Sequence, residues 1–296
     1  NPYPSSFNWS QLDLAHLSHR AFYRFNMEED QFETYIDGLG DAHPLIQPLD
    51  VFWVYAAQNE QMDFLNADRI HASEFQENLN VRDHILKLKV DSKNGSDHTY
   101  ISFNPSSSPD FEYDKDALKM MPHRNNRPQI FTYGGEKELG INQLPDTTMM
   151  DLSVKCASNG TFTISIDSNM GYDYLMLEDL IWNKRINLLE ESYTFDYFTS
   201  DGNYPFKLYF SDWVLQPVEE GDIDIYYYPE SIVVRSRKLI KQADIIFYDL
   251  AGKAVLSFTE NDFFKFEKAI SLPTGHYIVQ VRTANVVKNT KVLIRR

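Results

Sequence analysis

Four carboxylates stand at every second position in "PDFEYDKDALK": Asp110, Glu112, Asp114 and Asp116. On an extended strand that spacing lines them along one face, where hard oxygen ligands suit calcium, although the segment lacks the glycine and terminal glutamate of an EF-hand; the alternative is a solvated edge. The eight histidines promise less. "HLSHR" carries His16 and His19 without the glutamate and the i,i+4 spacing of a zinc protease, so they read as surface or hydrogen-bonded imidazoles. No G-x-S-x-G elbow occurs, and "GLGDAH" has Gly38 and Gly40 but neither the third glycine nor the helix that cradles phosphate; it is a turn. The two carboxylates of a glycosidase pair in space rather than in sequence, and nothing singles out such a pair. The expectation is a protein that is not an enzyme.

Aromatic residues are the other candidates. "YTFDYFTSDGNYPFKLYFSDW" has the alternation of two core strands joined at "SDGN", and Trp53 in "DVFWVYA" gets the same core assignment; a sugar-stacking surface is the alternative. Trp182 in "LIWNKR" is followed at once by polar residues, which makes it the first candidate for ligand binding, with carbohydrate as the ligand.

Strands must position these residues. In "ILKLKV" Leu86, Leu88 and Val90 oppose Lys87 and Lys89, and in "TFTISI" Phe162, Ile164 and Ile166 oppose Thr161, Thr163 and Ser165. "SNG" between Cys156 and Phe162 predicts a tight hairpin turn with positive φ, and Cys156 points with Val154 into the core. Helical signals are weak: "SQLDLAHL" allows a turn or two capped by Ser10, and "EYDKDALKMM" another. Frequent Gly and Pro between short strands predict an all-β fold, a larger jelly-roll-like antiparallel β-sandwich over 1–216 followed by a small Ig-like β-sandwich over 222–296. The small one comprises "SIVVRS", "ADIIFYD", "KAVLSF", "HYIVQVRT" and "TKVLIRR", with Tyr277, Val279 and Val281 facing in and Gln280 and Arg282 facing out.

Composition sets the class. The 296 residues, 43% hydrophobic and 14% aromatic, suffice to fill cores, and a single cysteine rules out an intrachain disulfide. No run approaches the roughly 20 apolar residues that cross a bilayer as a helix. The net charge of −15 is uneven: from Asp222 onward twelve Lys or Arg stand against eight Asp or Glu, leaving 16 against 35 before it. An acidic chain without a basic cluster is a poor nucleic-acid ligand, because phosphate neutralisation supplies most of such affinity. Opening on "NPYPSSFNWS" without methionine, the chain reads as a mature or truncated product.

The final residues carry a resemblance. "ADIIFYDLAGKAVLSF", "LPTGHYIVQV" and "TKVLIRR", in that order over about Ser231 to Arg296, resemble the strand-turn-strand, G-x-Y and K-x-x-I elements of the C-terminal sorting domain of the type IX secretion system of Bacteroidetes. The preceding region is similar to a module found beside such domains in large Bacteroidetes surface proteins, through "NPYPSSFNW", "FETYIDGLG", "DVFWVYA", "FEYDKDALK", "LGINQLP", "LEDLIWN" and "YTFDYF"; Asn8 stands where that family has Asp, and Trp-Val where it has Phe-Val. The resemblance implies a secreted protein at the outer-membrane surface or outside the cell, with a non-enzymatic carrier, spacer or adhesion module before a sorting signal. Its partners would be the secretion shuttle, translocon and sortase, with attachment to surface lipopolysaccharide. The sorting motif would comprise Gly252, opening a hairpin; Gly275, supplying a special turn conformation; Tyr277, a buried ring; and Lys291, Arg295 and Arg296, exposed contacts on the last strand. Two alternatives stand beside it: a lectin-like module that binds surface glycans, and an ancillary part of an upstream secreted enzyme.

Overall fold

The computed structural model describes residues 1–14, 17, 19–56, 59, 62–70, 85–122, 126–211, 218–228 and 230–295. The protein is all-β, and it divides into two compact units, Asn1–Phe210 and Ser211–Arg296. No helix among the described residues is long and apolar enough to cross a membrane.

In the first unit seven short strands are described first: β1 Ser6–Asn8, β2 Phe22–Asn26, β3 Gln31–Ile36, β4 Leu39–Gly40, β5 Leu45–Ile46, β6 Phe52–Val54 and β7 Arg69–Ile70. They form two small antiparallel sheets, ordered β5-β1-β7 and β4-β3-β2-β6. Eleven more follow: β8 Ile85–Ser92, β9 Gly95–Phe103, β10 Ala117–Leu118, β11 Gln129–Gly134, β12 Lys137–Leu144, β13 Met149–Lys155, β14 Gly160–Met170, β15 Met176–Asp179, β16 Lys184–Asn187, β17 Tyr193–Tyr197 and β18 Tyr204–Tyr209. These make one sheet, β16-β15-β18-β13-β11-β12-β9-β8-β14-β17, with β10 beside β12.

Two-residue periodicity explains the strands. Leu86, Leu88 and Val90 are fully buried and their lysine neighbours are not, and the same holds for Tyr193, Phe195 and Tyr197 against Thr194 and Asp196. The sheet curls on itself. Six strands separate β17 from β18 in the order, about 33 Å in a flat sheet, yet the ring of Phe195 lies 4.7 Å from Tyr204 and 5.0 Å from Phe206. Its ends therefore face one another across a shared aromatic core, as in a sandwich.

Several expectations change. The sheet is not wholly antiparallel, since β9 and β12 pair in parallel at its centre. "SNG" makes no hairpin: β13 pairs with β11 and β18 while β14 pairs with β8 and β17, so the chain arches from one part of the sheet to another, and neither Asn159 nor Gly160 takes positive φ. β17 and β18, on either side of "SDGN", are likewise unpaired and meet through their rings. Among the described residues of "SQLDLAHL" the helical element is a three-residue 3-10 turn, Trp9–Gln11, capped by Asn8, whose Oδ1 accepts from the Ser10 N–H at 3.2 Å. "EYDKDALKMM" forms turns and then β10 instead of a helix.

The second unit holds β19 Ile223–Tyr227, β20 Ser231–Tyr248, β21 Ala254–Ala269, β22 Gly275–Arg282 and β23 Val287–Ile294, in the order β19-β20-β22-β23 with β21 also on β20. "SIVVRS" and "ADIIFYD" are thus one long strand. The β20–β21 hairpin folds back midway. Phe258 and Phe266 would lie about 26 Å apart on a straight strand, but their ring centres are 5.7 Å apart. Asp262 between them has φ of 51°, and the pairing slips between Arg235 and Ile240. Both halves close over one core that includes Ile232, Phe247, Tyr277 and Val281.

Two glycines at the β3–β4 turn test this geometry. Gly40 has φ of +117° and an added Cβ would lie 1.9 Å from the Thr34 carbonyl oxygen, whereas Gly38, at +84°, has open space around it. Gly40→Ala should destabilise by roughly 3 kcal/mol or more and Gly38→Ala by about 1 kcal/mol in urea denaturation.

Candidate functional site

The acidic run is not a strand and does not gather its carboxylates. Asp116 is buried, accepting the Glu112 N–H at 2.8 Å and the Gln143 N–H at 2.7 Å. Glu112 accepts from the Ser108 N–H and from Lys115 Nζ, while Asp110 and Asp114 are exposed. Among the described residues no group of three or more His, Cys, Asp or Glu is arranged to hold a metal ion. His19 is fully buried, ringed by Tyr23, Tyr55, Phe111 and Tyr113, with Nε2 3.0 Å from the Asp116 carbonyl oxygen. His16 lies outside the described residues.

These contacts fix a loop. Gln143 Nε2 donates to the Lys115 carbonyl at 2.7 Å, so the segment is pinned to β12 through Lys115 and Asp116, and Asp116 in turn holds Glu112 on the other side of Asp114. Asp114 then lines a groove of mixed polarity, about 480 Å³, with Arg20, Asp37, Phe103, Asn104 and Gln143. A second hollow of about 270 Å³, reaching to Trp9 and Tyr35, shares Arg20 and Asp37 as its wall. Each lining group has a local reason for its place. Asp37 and Gly38 both take positive φ in the two-residue turn between β3 and β4. The main chain of Arg20 is held from two sides, its N–H donating to the Tyr113 carbonyl at 3.1 Å and its carbonyl accepting from Trp9 Nε1 at 2.9 Å. Asn104 Oδ1 caps a turn by accepting the Ser106 N–H at 3.0 Å.

What remains open is the chemistry of the groove. Among the described residues the Arg20 guanidinium, the Asp114 carboxylate and the Asn104 Nδ2 group have no hydrogen-bond or ion-pair partner. Lys115, by contrast, is spent on Glu112 and the Ser106 carbonyl. A neighbouring cluster is also internally matched: Lys87 bridges Asp41 at 3.2 Å and Asp167 at 2.9 Å, and Tyr100 donates to Asp41 at 2.7 Å. Burial lowers the pKa of His98 beside them despite both carboxylates. That cluster is structural, while the groove leaves donors and an acceptor facing solvent.

Trp182 is 71% exposed at the tip joining β15 to β16, next to exposed Leu180 and Ile181. Asp179 holds the tip, its Oδ1 accepting the N–H groups of Ile181 and Trp182, each at 2.9 Å. The flanking side chains on the N-terminal side are aliphatic and offer a sugar no hydrogen bonds. Trp53 is not in the core but 43% exposed, against Phe32; strand alternation turns it outward while Phe52 and Val54 pack inward.

In the second unit Gly252 takes φ of +81° in the β20–β21 turn, where Asp249 Oδ1 accepts the N–H groups of Ala251 and Lys253. Gly275 has no special conformation; it begins β22 beneath the Tyr277 ring, 3.5 Å from where a Cβ would sit. Tyr277 is buried and donates to the Pro273 carbonyl at 3.0 Å. Lys291 is exposed on β23, opposite buried Val292 and Ile294, and Arg295 is exposed just past the end of that strand; Arg296 lies outside the described residues.

Sequence reasoning missed Arg20 and Asn104 in the groove and Asp179 at the tip. Asp-Gly at 37–38 and Asn-Pro at 104–105 were readable turn signals, whereas nothing local marks Arg20.

No family model and no curated protein matches the chain. Among solved structures it is similar to one described as "Biofilm associated protein - BSP domain", at 11% identity and a TM-score of 0.20, over 72% of this chain and 25% of that one. The chain thus spans about a quarter of that structure's length, and a likeness at this level assigns neither a family nor a function.

Two measurements check the site's supports. Asp179→Ala should cost about 3 kcal/mol, because it strands buried donors, whereas Trp182→Ala should change stability by less than about 0.5 kcal/mol. Burial raises Asp116 from 3.8 to about 6, against its backbone hydrogen bonds. The folded state therefore holds a proton that the unfolded chain has released. The stability this supplies is complete below about pH 4, falls as pH rises, and is gone above about pH 6. Asp116→Asn removes this titration but sets an amide against one of the two N–H groups that the carboxyl accepts; it should be less stable than wild type at pH 4 and recover up to about 3 kcal/mol of that difference by pH 6, read from denaturation curves at each pH.

Proposed function

We propose that the second unit is a C-terminal sorting domain of the type IX secretion system and that the first is the exported, non-enzymatic carrier, spacer or adhesion module. The observation that carries this is positional. The three motifs of the resemblance fall on mutually paired strands: "ADIIFYDLAGKAVLSF" on the β20–β21 hairpin, "LPTGHYIVQV" leading into and along β22 on β20, and "TKVLIRR" on β23 beside β22. Tyr277 is buried in that sheet, Gly252 shapes the β20–β21 turn, and Lys291 on β23 and Arg295 just after it are exposed.

A shuttle would meet one continuous surface, an edge strand with cations on its outer face. Export would place the protein at the cell surface or outside the cell. Partners would be the shuttle, the translocon and a sortase that transfers the chain to lipopolysaccharide.

Fusion of Ser211–Arg296 to a reporter with a signal peptide tests this in Bacteroidetes hosts with and without a working translocon. Surface display only with the translocon is expected. Reporter retained in the periplasm of both hosts, or displayed equally in both, would overturn the proposal. Lys291→Glu with Arg295→Glu should lower display several-fold while leaving the unit folded.

A further inference from the structure

We infer that the groove between Arg20 and Asp114 in the first unit is a binding site for a neutral oligosaccharide. This does not depend on the second unit being a sorting domain.

The inference starts from charge. The region before Asp222 carries 16 basic residues against 35 acidic ones, so an arginine there has abundant carboxylates to choose from. Arg20 pairs with none among the described residues, although it lines the same groove as Asp37 and Asp114. The Arg20 main chain is fixed by Trp9 and by Tyr113, the neighbour of Asp114, and the segment that carries Asp114 is fixed by Asp116 and Gln143, so both side chains start at set places on one groove. A donor and an acceptor that share a groove without pairing are available to a ligand that bridges them.

Ligand class follows from what is open. A planar guanidinium donates bidentately, a free carboxylate accepts from two adjacent hydroxyls, and the Asn104 amide adds a further donor. Vicinal hydroxyls both donate and accept, so a sugar satisfies all three. Phe103, whose ring packs on Tyr172 and Phe210, adds an apolar edge to the same groove, against which a C–H face of a sugar can lie. The groove's volume of about 480 Å³ is itself enough for more than one sugar ring.

Other ligands fit less well. An anionic glycan would gain Arg20 but face Asp37 and Asp114 in an acidic field. An apolar ligand would strip water from charged groups without replacing their hydrogen bonds. Trp182, the alternative sugar platform, stands at the β15–β16 tip between exposed Leu180 and Ile181 on one side and exposed Asn183 and Lys184 on the other, and lines neither hollow.

The test is a calorimetric and glycan-array screen of the whole chain against neutral di- to tetrasaccharides of glucose, mannose, galactose, xylose and N-acetylglucosamine. Binding to at least one is expected, weakened tenfold or more by Arg20→Ala and by Asp114→Asn and unchanged by Trp182→Ala. Asp114 is exposed, so its variant stays informative if Arg20→Ala impairs folding. No binding to any member overturns the inference. So does binding that both groove variants leave intact, or binding lost only with Trp182→Ala, which would move the site to the β15–β16 tip.

Discussion

The curl of the large sheet depends on one buried carboxylate. Asp179, on β15, accepts at Oδ2 the hydroxyl of Tyr204 on the adjacent β18 at 2.9 Å and that of Tyr193 on β17 at 2.7 Å, with seven strands between β15 and β17 in the sheet order. Its other oxygen caps the β15–β16 tip. A lone charge in such a core would be prohibitive, and four donors, aimed at it before any water is needed, are what make it tolerable. Burial and this carboxylate together hold both phenols well above the usual tyrosine range, so they remain donors at any physiological pH. Next to it Glu178 is met by Tyr209 and Arg185, which gives the same stretch of β15 a second anchored carboxylate.

The device recurs wherever regular pairing fails. Asp97, buried under β9, accepts the Ile130 N–H at 2.7 Å and meets Lys119 Nζ at 2.5 Å. Asp116 does for segment 112–116 what Asp179 does for the tip. In each case a carboxylate takes the place of a missing strand partner by accepting backbone N–H groups that would otherwise be buried unpaired. The acidic composition of this unit is therefore partly internal scaffolding, and not only a solvated surface.

Faces were legible in the sequence, partners were not. Period-two alternation placed Leu86, Leu88, Val90, Tyr277 and Val279 inside because it reports which side of a strand meets the core. It is silent on which strand lies alongside, so an Asn-Gly arch looked like a hairpin and two runs now joined in β20 looked like separate strands. Trp53 was misplaced because hydrophobic composition outweighed its own alternation with Phe52 and Val54. Of the groove, the turns were readable, but Arg20 belongs to the site only through contacts with Trp9 and Tyr113, the latter 93 residues away.

The state of Arg20 is the more informative for the field it sits in. Arg20 finds no carboxylate among the described residues in strongly acidic surroundings, and the Trp9 and Tyr113 hydrogen bonds to its main chain fix where its side chain leaves the wall of the groove. The same field screens ligands. It repels polyanions at long range while leaving hydroxyl-bearing molecules free to approach, so selectivity begins before contact and the fixed groups of the groove have only to match geometry. Pinning the acidic loop to β12 through Lys115 and Asp116, and to the Arg20 main chain through Tyr113, sets one spacing between the backbones that carry Arg20 and Asp114, and that spacing is what a bridging ligand has to match.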